Sequence, residues 1–126
     1  MNNKNYTPKQ ILKYKRQKFL NALNKCTRNL YNIFKNPKSD YETFKNRFTS
    51  LKNEIQKFDD VIISSDHTKR TKEYIYKLYK EYILDKSLTQ EEFNKLKEKE
   101  ISNLNRLQKM RNKAKYSKNK YNNLEF

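Results

Sequence analysis

Two runs of cations carry the clearest chemistry in this sequence. Lys4, Lys9, Lys13, Lys15, Arg16 and Lys18 fall within fifteen residues, and Lys109, Arg111, Lys113, Lys115, Lys118 and Lys120 fall within twelve, with no acidic residue in either run. Arrays of this kind bind phosphate backbones, because each cation that meets a phosphate releases condensed counterions. Tyr6, Tyr14, Tyr116 and Tyr121 are interleaved with them. Such rings stack on unpaired bases or pack against sugars. Lys far outnumbers Arg, which limits the bidentate reading of guanine that Arg performs. The expected chemistry is therefore contact with a polyanion backbone at low sequence specificity.

Chemistry of other kinds finds few residues to perform it. His67 is the sole histidine and Cys26 the sole cysteine, so there is no Cys/His pair for nucleophilic catalysis and no ligand set for zinc. His67 reads as an exposed residue beside a helix start. Asp59, Asp60 and Asp66 form the only carboxylate cluster away from helical faces. A two-metal nuclease needs several such groups converging on one pocket, and a helix end followed by a helix start explains these three. Glu91 and Glu92 sit where a helix amino terminus favours negative charge. No Gly occurs, which removes every glycine-loop phosphate site. No enzymatic activity, cofactor or metal is expected.

The cationic excess is also positioned. Residues 1–39 contain 10 Lys+Arg and no Asp or Glu, residues 40–100 contain 13 of each, and residues 101–126 contain 7 and 1, which together give the net +16. The excess therefore lies wholly at the two ends, as in a surface built for a polyanion.

What must position these cations is helical. The absence of Gly, with Pro only at 8 and 37, makes tight hairpins scarce and long helices the natural element. A first helix is expected from about Thr7 to Lys35, with Thr7 as cap, Pro8 as first helical residue and Asn36-Pro37 as stop. Leu12, Phe19, Leu23, Cys26, Leu30 and Ile33 form its apolar stripe, widened by Ile11, Leu20 and Phe34. A second follows a Ser39/Glu42 capping box, with Tyr41, Phe44, Phe48, Leu51, Ile55 and Phe58 as a heptad-like seam. Val61-Ile62-Ile63 reads as an extended connector over the bundle end. A third helix spans about 67–86 with Ile75, Leu78, Tyr79 and Tyr82 inward. A fourth starts at a Thr89/Glu92 box with a Leu88/Phe93 staple, and continues through Leu96, Ile101, Leu104, Leu107 and Met110.

The fold class expected is all-α: a small antiparallel bundle of about four helices with a basic C-terminal extension. Residues 1–110 form one bundle domain and 111–126 a basic tail that continues the last helix when a partner neutralises it. Ser87-Leu88-Thr89-Gln90-Glu91-Glu92-Phe93 faintly resembles the first helix of a helix-turn-helix, but the following residues lack the small residue and Gly turn of that motif. An up-down order makes the first and last helices neighbours and merges the two charged ends. The expected interface is Lys9, Lys13, Tyr14, Lys15, Arg16, Lys18, Lys25 and Arg28 from the first helix, with Lys109, Arg111, Lys113, Lys115, Tyr116, Lys118, Lys120 and Tyr121 from the last.

These features point to a non-enzymatic protein with DNA or RNA as its partner. The alternative is a small adaptor or inhibitor from a phage or mobile element, docking on a nucleoprotein complex such as a CRISPR effector. A third reading, binding to an anionic membrane surface, is disfavoured because the apolar stripes are used by the core. A homodimer is compatible with the modest apolar content. The polar amino terminus and the lack of long apolar runs lead to a cytoplasmic expectation. The abundance of Lys, Asn, Tyr and Ile matches an AT-rich coding genome.

Overall fold

The computed structural model describes the backbone of residues 7–124 except Ser64, and side chains through Lys113. It contains four helices: α1 (Pro8–Lys35), α2 (Tyr41–Gln56), α3 (Asp66–Tyr82) and α4 (Gln90–Leu124). Consecutive helices pack against each other, and α1 closes the bundle against α4. The turn after α1 meets Lys97 of α4, while Gln17 and Arg111 line one groove further along. The first and last helices therefore run antiparallel.

Local chemistry sets the helix ends. Thr7 caps α1: its hydroxyl accepts from the Gln10 N–H at 3.2 Å and the Gln10 side chain accepts from the Thr7 N–H at 2.8 Å, with Pro8 behind them. Asn36 ends the helix in an extended conformation (φ −82°, ψ 113°), the geometry that a following Pro imposes.

The expected cap of α2 is corrected by one residue. Asp40, not Ser39, is the cap, and its carboxylate accepts from the Thr43 N–H at 2.8 Å. Ser39 is buried, and its hydroxyl reaches back to the Ile33 carbonyl at 2.6 Å. It thus gives the Ile33 carbonyl a second donor beside the Asn36 N–H at 3.3 Å, in place of the i+4 donor that Pro37 lacks. The α4 start is as expected, with reciprocal Thr89/Glu92 bonds of 3.0 and 3.2 Å and Phe93 fully buried beside a half-buried Leu88.

The core is aromatic at its centre. Phe44 and Phe48 stack at 5.5 Å, and Phe34 and Phe93 approach Phe44 at 5.5 and 5.4 Å. Val61 and Ile63 pack on the core as part of the expected connector, whereas Ile62 between them is 79% exposed. After α3, Asp85 takes a left-handed conformation (φ 55°), a turn for which this chain supplies no Gly.

Two expectations are overturned, one about an apolar face and one about a motif. Leu12 and Ile11 were placed on the core stripe of the first helix, yet they are 62% and 41% exposed. The buried part of α1 lies within residues 19–34, sixteen positions facing the sixteen residues of α2. None of the described residues before Phe19 is buried. The helix-turn-helix resemblance also fails, because residues 87–89 are non-helical and α4 then runs without a turn.

Candidate nucleic-acid interface

The amino-terminal three turns of α1 form an exposed cationic arm. Every residue from 7 to 18 is exposed. Lys15 and Arg16 precede Phe19 by four and three positions, so they continue the core-facing side of the helix. Because the core has ended, they meet solvent. Lys9, Lys13 and Lys18 lie on other sides of the helix, so the cations are not confined to one face, while a sector of about 140° between Lys13 and Lys18 carries the uncharged Gln10, Tyr14 and Gln17. Lys25 and Arg28 lie further along the outer side of α1 and are exposed.

Few anions compete for these groups. Among the described residues, Lys15 approaches Asp60 at 3.4 Å and Lys25 approaches Glu54 at 3.9 Å. All four side chains are about half exposed or more; such pairs contribute about 0–1 kcal/mol, which leaves both lysines available to a phosphate. Tyr14 is 61% exposed, with the Lys18 ammonium 4.8 Å from its ring centre. A ring and a cation thus stand side by side one helical turn apart.

From α4, Lys109 and Lys113 are exposed and Arg111 is half-buried. The antiparallel packing brings Arg111 to a groove that Gln17 also lines, so Lys109, Arg111 and Lys113 lie toward the same end of the bundle as the arm. The α4 backbone is helical as far as Leu124. The side chains of Lys115, Tyr116, Lys118, Lys120 and Tyr121, like Lys4 and Tyr6, fall outside the described residues.

The groups considered for catalysis have structural partners. Asp59 accepts from the Tyr76 hydroxyl at 2.7 Å and pairs with Lys72 at 3.1 Å; the Tyr76 bond first, then Lys72, hold its carboxyl below the usual range. Asp60 faces Lys15 and Asp66 pairs with Arg70 at 3.2 Å. No cluster of three His, Cys, Asp or Glu forms among the described residues. Burial, then Glu54, pushes the Cys26 thiol up to about 12, which suppresses the reactive thiolate. His67 is half-buried, not exposed as expected, and its Nδ1 lies 2.6 Å from the Ser65 hydroxyl.

Two charged residues absent from the expected sites are buried. Lys97 is 5% exposed and donates to the Asn36 carbonyl, the Ser39 carbonyl and the Ser39 hydroxyl at 3.2–3.3 Å. Glu100 is 3% exposed and accepts from Tyr74 at 2.8 Å, Asn103 at 3.0 Å and Tyr82 at 3.3 Å. Their signal was present in the spacing: 93, 97, 100 and 104 follow a 4, 3, 4 pattern, with the apolar ends Phe93 and Leu104 flanking two charges.

No protein-family model, curated protein or solved structure matches the chain. Its function is therefore argued from these residues alone. Among the described residues no helix is long and apolar enough to cross a membrane.

Proposed function

We propose that this chain is a non-enzymatic nucleic-acid-binding protein that contacts phosphate backbones with low sequence specificity. The observation that carries this reading is the α1 arm: Lys9, Lys13, Lys15, Arg16 and Lys18 stand on three exposed helical turns, and α1 contains no acidic residue. A phosphate backbone could follow such an arm along more than one side, which suits binding by charge and not by base identity. Arg111 and Lys113 extend the cationic surface onto α4.

The test is the salt dependence of binding. Each phosphate neutralised contributes a slope of about −0.9 on duplex DNA or about −0.7 on a single strand in log K against log salt. Replacing Lys13, Arg16, Lys18, Arg111 and Lys113 together with Gln removes up to five contacts, and the duplex slope is expected to fall by up to about 4.5. DNA and RNA affinity that survives the replacement with its slope intact sinks the assignment.

A second reading has its own observation. Ile11 and Leu12 leave apolar surface on the same arm, which favours a protein partner and hence the adaptor or inhibitor alternative. Binding assays with purified nucleic acid alone separate the two, because an adaptor would bind weakly and without the steep salt slope.

A further inference from the structure

A groove of about 620 Å³ opens between α1, α3 and α4. Its volume falls in the range of small-molecule sites. Leu20, Leu23, Leu104 and Leu107 provide its apolar lining, with Leu23 and Leu104 almost fully buried. Gln17, Asn24 and Gln108 bring three side-chain amides to it. Each amide carries both a donor and an acceptor. Gln17 and Gln108 give their N–H groups to Asn21 and Asn112 along their own helices, at 3.0 and 3.2 Å, which leaves their carbonyl oxygens as acceptors. The Asn24 amide makes no hydrogen bond among the described residues. Arg111 and His67 line the groove as well, and among the described residues no carboxylate does.

The groove also lies at the foot of the cationic arm. Gln17 sits between Arg16 and Lys18, and Arg111 between Lys109 and Lys113. A strand whose phosphates follow those cations would pass the groove mouth. The lining matches what such a strand carries: a flat apolar face, an edge of mixed donors and acceptors, and an anionic phosphate one sugar away.

We propose that this groove takes one unpaired nucleobase of the bound strand, with the leucines against its face, the amides on its edge and Arg111 on its phosphate. The proposal rests on the nucleic-acid reading and deepens it, because it commits the ligand to single-stranded or looped regions. In a duplex both faces and the Watson–Crick edge of a base are already occupied, so a base must leave the stack before it can enter a pocket.

The experiment compares one oligonucleotide as a single strand and as a perfect duplex, with a fluorescent adenine analogue at one position. The native protein is expected to bind the single strand more tightly at matched salt, by at least about fivefold, with a change in the analogue's emission. The variant Asn24→Leu/Gln108→Leu removes two of the three amides from the groove without altering charge. Provided its urea unfolding midpoint matches the native one, it should lose the preference and the emission change while keeping its duplex affinity and salt slope. Equal affinity for both forms in the native protein, or a preference that survives in the variant, overturns the proposal and leaves the nucleic-acid reading standing. Absence of binding to either form overturns both. Sedimentation showing a dimer that the variant dissociates would assign the groove to a second copy and also overturn the proposal. Should the leucine pair fail to fold, Asn24→Ala is measured in the same way against the same outcomes.

Discussion

Replacing Lys97 with Met should destabilise the bundle by about 2 kcal/mol. The Lys97 ammonium is buried and reaches three acceptors in the turn between α1 and α2, so it joins α4 to the end of α1. Hydrogen bonds to a charged group contribute about 1.5–3 kcal/mol each when isolated. Three losses would exceed the expected figure, but two of the acceptors keep other donors: the Asn36 carbonyl retains the Ser39 N–H at 3.2 Å, and the Ser39 carbonyl retains the Gln90 amide at 3.2 Å. The loss is therefore nearer one such bond than three. Met preserves the stem that lies along Phe93, whose ring centre is 5.1 Å from the ammonium. Lys97→Ala removes the stem as well and should cost about 1 kcal/mol more. Urea unfolding monitored by circular dichroism gives the difference as a shift in midpoint at constant m. Lys95→Met, on the exposed side of the same turn, is the control and should change stability by less than about 0.5 kcal/mol. The competing effect is desolvation, since replacing a buried charge with an apolar group of similar size stabilises some proteins. A Lys97→Met protein as stable as the native one, or more so, would show that desolvation wins and that Lys97 does not hold the turn.

Three further outcomes follow from the same packing. Tyr74→Phe removes a donor from the buried Glu100 carboxylate, which keeps Asn103 and Tyr82; the expected cost in urea unfolding is about 1–2 kcal/mol, and a neutral effect would mean that the carboxylate is rehydrated. Asp85→Val should cost about 1–2 kcal/mol at its left-handed position while Asp85→Gly is neutral or stabilising; equal melting temperatures for the two variants would refute that conformation. Stability should also decline in alkali. Burial raises Tyr41, Tyr74, Tyr76 and Tyr82 above 10.0 and Cys26 from 9.0 to about 12, with Glu100 adding to Tyr74 and Tyr82, Asp59 to Tyr76, Glu42 to Tyr41 and Glu54 to Cys26. Because the folded state keeps these protons longer, their contribution is full below pH 9 and is lost as pH rises through 10 and beyond. Stability curves that stay flat to pH 12 would contradict that sign.

Much of the fold was legible because its signals are local. Thr7-Pro8 and Asn36-Pro37 bound α1, and the Thr89/Glu92 box starts α4, each through atoms no more than a turn apart. The errors were tertiary. Ser39 was passed over for Asp40 because its hydroxyl is used across the turn, on the Ile33 carbonyl. Lys97 and Glu100 stand in a run of alternating Lys and Glu, and their burial depends on partners distant in sequence, in the α1–α2 turn and on α3.

The α1 arm is the most consequential of these cases. Periodicity states which face of a helix is able to be buried; it does not state whether a neighbour is there to bury it. Leu12 keeps the register of Phe19 and Leu23, yet α2 and α3 have 16 and 17 residues against the 28 of α1. At about 1.5 Å per residue, α1 is longer than either by roughly 17 Å, about the length of its exposed turns; α4, with 35 residues, runs on past this point. The arm therefore adds charge without adding core. Lys13, Arg16 and Lys18 are exposed, and exposed substitutions of this kind change stability by about 0.5 kcal/mol or less. Their neutralisation should leave the unfolding midpoint where it is while the salt slope of binding falls. A loss of binding that came with a loss of folding would instead trace the charge effect to the bundle, and the arm would no longer account for the cationic ends of this chain.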